Sequence, residues 1–158
     1  MSNPQIRRFL PNMDTARKLR IQFTKNLKKG YVQNAKLDPS VPSELLEHLQ
    51  STEQVIVEVT SRKGGRYFFT DRRVYSERDA VIKPLCCYNE VRQIHWMSNF
   101  SPYGMLTDAP NAKGMTATNF KSENYDRLVL ETSAGDVVLD GLQQSYSPIF
   151  EFLRWNNR

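Results

Sequence analysis

A chain of 158 residues, 39% hydrophobic and 11% aromatic, can build one substantial core and little beyond a single domain. Its mean hydropathy is −0.59, and no apolar run exceeds the four residues Leu85 to Tyr88, which excludes a spanning helix of about 20 apolar residues. A net charge of +5 and a pI near 9.3 raise the question of a polyanionic partner.

That charge sits at the start of the chain. Residues 1–36 hold nine Lys/Arg and the single acid Asp14, a net +8, whereas residues 37–158 hold 13 bases and 16 acids, a net −3. Any polyanion would therefore have to be met by the first segment. The opening MSNPQIRRFLPNMD carries two arginines with no apolar stretch behind them, which is not the form of a secretory signal.

Apolar spacing predicts a helix over 13–29, with Asn12 as N-cap and Gly30 as the C′ residue. At about 100° per residue, Met13, Ala16, Leu19, Phe23 and Leu27 fall in one arc of about 120°. Arg17, Lys18, Lys25, Lys28 and Lys29 lie opposite, with Arg20 at the border. Residues 31–40 read as a polar connection, so 1–36 is a basic amphipathic helix with its linker and 37–158 the main domain. A second short helix is expected over 42–50, with Leu45, Leu46 and Leu49 on its apolar side.

The period then changes to strand alternation. Val55, Val57 and Val59 are expected on one face, with Gln54, Ile56, Glu58 and Thr60 on the other. Ser61 to Gly65 reads as a hairpin turn, its two glycines supplying positive φ. Strands follow over 66–69, 73–77, 81–87 and 91–97, with Asp71-Arg72 and Tyr88-Asn89-Glu90 as breaks. Residues 99–125 have no period and form a long inserted loop. Leu128 to Thr132 and Val137 to Leu139 make a hairpin around 133–136. A closing helix runs from Ser147 and Pro148 through Trp155, with Ile149, Phe152 and Leu153 inward.

Several of these pieces resemble bacterial pleckstrin-homology-like domains. PSELLEHLQSTE (Pro42 to Glu53) followed by QVIVEVTS is similar to the start of that family, where a short helix and an acid lead into the first strand. YFFTDRRVY (Tyr67 to Tyr75) is similar to its most recognisable segment, an apolar strand ending in Thr-Asp-Arg-Arg. Pro84-Leu85 with Tyr88, Glu90, Val91 and Ile94 resembles the element that follows, and 128–142 with 149–155 the last hairpin and closing helix. The resemblance covers about residues 42–155 and implies an α+β fold: a PH-like antiparallel β-barrel of about seven strands, with a C-terminal capping helix and two N-terminal helices before it. The long loop at 99–125 and the basic helix depart from the family pattern.

Within the turn, Asp71 is expected to accept backbone N–H bonds and so fix the hairpin, with Arg72 and Arg73 tying neighbouring carbonyls or carboxylates. Cys86 and Cys87 are adjacent, which disfavours a mutual disulfide and fits two buried thiols in a reducing cytoplasm. His48 and His95 have no ligand at metal spacing. No Gly-rich phosphate loop, HExxH or GxSxG occurs. The reading is a non-catalytic binding module without metal or cofactor, cytoplasmic or at a membrane surface.

Three surfaces compete for the binding role. Arg62, Lys63 and Arg66 of the first hairpin resemble the basic loop with which eukaryotic pleckstrin-homology domains hold phosphoinositides, or are a solvated turn. The cations Arg17, Lys18, Lys25, Lys28 and Lys29 could meet an anionic membrane, with Leu19, Phe23 and Leu27 in the interface, or nucleic acid; alternatively the apolar stripe packs on the domain. The third surface is the loop, where Phe100, Tyr103, Met105, Met115 and Phe120 favour protein recognition. The leading expectation is a protein partner or a second copy of the chain, met by edge-strand pairing. An anionic membrane surface comes second and nucleic acid third.

Overall fold

The computed structural model describes residues 13–98 and 125–156. Helix α1 spans Met13–Lys28, as its apolar spacing predicts. Its end is a Schellman motif: the Gly30 N–H bonds the Leu27 carbonyl at 3.1 Å and the Tyr31 N–H the Asn26 carbonyl at 3.0 Å. Gly30 has φ +76, a conformation glycine adopts without steric cost. The proposed N-cap, Asn12, lies outside the described residues.

Leu19 and Phe23 are fully buried, and Ala16 and Leu27 pack beside them in the main core. The stripe is thus covered by the rest of the protein. Burying one such side chain is worth about 1.5–3 kcal/mol, which holds the helix to the body.

The segment expected as plain linker contains a strand. β1 (Ala35–Leu37) pairs antiparallel with β2 (Val55–Thr60), matching Ala35 to Val59 and Leu37 to Val57. The Asn34 side chain fixes this entry by donating to the carbonyls of Thr60 and Leu142 at 3.1 and 2.9 Å. The second expected helix shortens to a single turn, α2 (Ser43–Leu46), in which only Leu45 is buried.

β3 (Arg66–Thr70), β4 (Arg73–Arg78) and β5 (Val81–Cys87) continue the sheet in the order β1-β2-β3-β4-β5. After a 3-10 turn at Tyr88–Glu90, β6 (Val91–Ser98), β7 (Tyr125–Thr132) and β8 (Gly135–Leu139) form a separate antiparallel sheet. Helix α3 (Tyr146–Asn156) closes the chain, with Ile149, Phe152 and Leu153 fully buried.

The expected PH-like barrel is therefore not formed. Among the described residues there are two sheets, of five and three strands, and no ladder joins them. β2 pairs with β1 and β3, so the larger sheet ends at β1 and β5, and neither pairs with a strand of the smaller sheet. The two sheets share the main core, and loops bridge them: the Arg62 N–H bonds the Gly141 carbonyl at 2.8 Å, and the Ser61 hydroxyl the Asp140 carbonyl at 2.9 Å. Of the two N-terminal helices of that expectation, the second, short one over 42–50 reduces to the single turn Ser43–Leu46.

A register shift between Val55 and Val57 corrects the strand reading too. The bulge places Val55 in a small core with Leu45, Phe68, Tyr75 and Ile82, while Ile56 joins Val57 and Val59 in the main core. One extra residue reverses which face the following side chains occupy. The five-stranded sheet is consequently packed on both faces.

Candidate functional site

The Thr-Asp-Arg-Arg turn is built differently from expectation. Thr70 holds its interior: the Thr70 hydroxyl oxygen accepts the N–H groups of Arg72 and Arg73, each at 3.0 Å. Asp71 reaches across instead, its Oδ1 accepting the Gln54 N–H at 2.9 Å. Behind the turn lies a buried carboxylate that sequence reasoning noticed only as an acid before the first strand. Glu53 accepts the Thr70 hydroxyl at 2.6 Å, the Tyr75 phenol at 3.0 Å and the Gln50 N–H at 3.1 Å. Burial pushes the Tyr75 phenol well above its ordinary range, with the Glu53 charge adding to it. This cluster is enclosed, and it clamps β3 and β4 to the segment that leads into β2.

Cys86 is buried and Cys87 half-buried. Burial pushes the Cys86 thiol up to about 12, and burial followed by the Glu90 hydrogen bond raises Cys87. Neither thiol is poised as a nucleophile. Among the described residues no group of three or more His, Cys, Asp or Glu could hold a metal ion. His95 Nε2 lies 3.1 Å from Glu131.

Of the hairpin cations, Arg66 is spent within the fold. Its guanidinium bonds Glu58 at 2.9 Å and Glu77 at 3.1 Å, and it lies over the Phe68 ring. Those carboxylates, not a ligand, satisfy its fork. Arg62 and Lys63 are exposed. On α1, Lys18 pairs with Asp14 at 3.3 Å and lies over the Trp155 ring. Arg17, Lys25, Lys28 and Lys29 remain exposed, flanking Ile21 (44% exposed) and Tyr31 (65%). Leu19 and Phe23 are not available to a membrane, because they fill the main core. The candidates Phe100, Tyr103, Met105, Met115 and Phe120 lie outside the described residues.

The structure adds a surface that periodicity could not show. A groove of about 420 Å³ runs between β4–β5 and β8, with Tyr67, Val81, Lys83, Leu85 and Val138 in its walls. Val81 and Val138 are 55% and 48% exposed, unusual for valines on regular strands. Among the described residues β5 pairs only with β4, and β8 only with β7. The two strands bordering the groove thus each keep one edge unpaired. The lining carries the cations Arg66, Arg78 and Lys83 and the acids Glu77 and Asp79, with Arg78, Asp79 and Lys83 exposed. Arg78 is held there by its bonds to the carbonyls of Lys63 and Gly64, at 3.2 and 3.3 Å.

The fold and this groove define a two-sheet α+β protein with an open, strand-bordered cleft. Comparison of the chain with protein-family models, curated proteins and solved structures finds no match. No helix among the described residues is long and apolar enough to cross a membrane.

Proposed function

We propose that this protein is a non-catalytic binding module that takes an extended segment of a protein partner into the groove between β5 and β8. The carrying observation is the coincidence of two unpaired strand edges with exposed Val81 and Val138 in one cleft. Unpaired edges offer backbone donors and acceptors to an added strand, and the apolar walls accept alternate side chains. The exposed lining cations Arg78 and Lys83 favour a segment with acids beside its apolar residues.

The test is selection of a random-peptide display library on the immobilised full chain. Enriched peptides should alternate apolar residues with flanking acids. Their affinity should fall at least about tenfold for Val138→Glu, while Ile21→Glu on α1 leaves it unchanged. Enrichment indifferent to Val138→Glu and Val81→Glu would reject the reading. A dimer broken by Val138→Glu would instead assign the groove to a second copy of the chain.

A second reading is docking of α1 on an anionic surface. It draws support from Arg17, Lys25, Lys28 and Lys29 around exposed Ile21 and Tyr31. Contact would be electrostatic and shallow, with the core stripe staying in place. Binding to phosphatidylserine vesicles that disappears in Lys25→Glu/Lys28→Glu and at high salt would favour it. Nucleic acid could use the same cations, and a DNA arm in that assay separates the two.

A further inference from the structure

A second cavity, of about 430 Å³, shares no lining residue with the groove. It opens where the first turn of α1, the end of α3, the β3–β4 turn and the 3-10 turn meet. Thr15, Arg72, Arg73, Cys87, Asn89 and Asn156 line it. No acid is among the described lining residues.

Arg73 is the unusual member. Its side chain is only 22% exposed, and its Nε is buried with no hydrogen-bond acceptor. Glu53 lies 3.5 Å from that Nε. Both oxygens of the carboxylate already serve Thr70, Tyr75 and Gln50. The guanidinium therefore has a charge partner behind it and lies over the Tyr75 ring, yet its Nε–H makes no hydrogen bond. A buried N–H left unmatched, as at this Nε, is costly, and native proteins normally match it.

Arg72 behaves differently. Both its terminal nitrogens are engaged, by the Gln50 amide oxygen and the Thr52 hydroxyl, so it stands as a fixed second charge on the wall. Asn156 accepts the Thr15 hydroxyl through Oδ1 at 3.3 Å, which leaves its amide N–H groups for another acceptor. Asn89 is exposed beside them.

We propose that this cleft binds a small molecule through an oxyanion head group, a phosphate or a carboxylate. Arg73 supplies the bidentate fork, Arg72 the additional charge, and the Asn89 and Asn156 amides the remaining donors. The volume exceeds that of a bare phosphate and is within the range of small-ligand sites. The site is independent of the peptide groove.

The experiment titrates the full chain, labelled with ¹⁵N, with inorganic phosphate and separately with acetate, at ionic strength fixed by sodium chloride. The Arg73 Nε–Hε resonance should shift saturably with at least one anion, and the stronger of the two identifies the head group. Asn89→Asp and Asn156→Asp bring negative charge into the cleft without touching Glu53. Each should weaken binding about tenfold or more. Arg73→Lys keeps a charge opposite Glu53 but loses the fork, and should abolish the anion-induced rise in Tm. An Arg73 resonance that both anions leave in place, or that moves equally in chloride, overturns the proposal. Binding that survives both Asp variants overturns it as well.

Discussion

The phenol of Tyr75 donates to Oε1 of Glu53 across 3.0 Å, in the small core that Leu45 of α2 covers. With the Thr70 hydroxyl on Oε2 and Arg73 at 3.5 Å, the carboxylate ties β3 and β4 of the larger sheet to the segment that leads into β2. Removing Glu53 would leave Arg73 as an uncompensated, largely buried charge. Glu53→Ala should cost about 3–5 kcal/mol, whereas Tyr75→Phe should cost about 1–2 kcal/mol. Urea denaturation measures both, and a Glu53→Ala loss below that of Tyr75→Phe would contradict this account.

Phe23 and Ile21 are two residues apart on α1 and face opposite ways. Phe23 is fully buried and Ile21 is exposed. Phe23→Ala should therefore lose about 3–5 kcal/mol, and Ile21→Ala should stay within about 0.5 kcal/mol of the parent. Equal losses in a denaturant series would mean that α1 does not dock by this stripe.

Arg20 grips Asp38 with two bonds of 2.6 Å, and the hydrogen bonds hold the Asp38 carboxyl below its ordinary value near 3.8. A lowered folded value means the stabilisation is complete above the ordinary value and fades as pH falls through the lowered one. The pair is largely exposed, so its worth is about 0.2–1 kcal/mol. Asp38→Asn keeps a residue that tolerates the positive φ of +48. Unfolding midpoints from pH 6 down to pH 2 should fall less steeply for Asp38→Asn than for the parent.

Gly141 has φ +69, and an added Cβ would meet the Ser61 hydroxyl and come within 2.7 Å of the Arg62 nitrogen. This is the loop contact that joins the two sheets. Gly141→Ala should cost about 2 kcal/mol or more, combining backbone strain with overpacking. A thermal scan showing no loss would remove Gly141 from that role.

Cys86 and Cys87 should react slowly with iodoacetamide at pH 8 in the folded protein, because burial raises both thiols. Denaturation should restore ordinary rates at both positions. Mass spectrometry of timed samples distinguishes the two states.

Local signals in the chain carried the local structure. The heptad-like spacing of Leu19 and Phe23, the glycines at 64 and 65 and the break at Tyr88 to Glu90 each specify their element through nearby backbone physics. Gly64 and Gly65 do adopt positive φ, +100 and +74. What failed was non-local. Whether a sheet closes depends on which edges are free, and the three residues of β1 are too few to show a period. The bulge at Ile56 left no trace either, because valine or isoleucine suits both faces. The groove was illegible for the same reason, since Val81 and Val138 meet only through the arrangement of two sheets. Glu53 was visible as an acid, but its enclosure depends on Thr70, Tyr75 and Arg73 converging on it.

The position of β1 has a consequence for how the chain can be cut. Ala35, Lys36 and Leu37 lie along β2 as a sealing strip. A fragment beginning after residue 37 would move the open edge of the sheet from the three residues of β1 to the six of β2, lengthening the backbone offered to an extended partner.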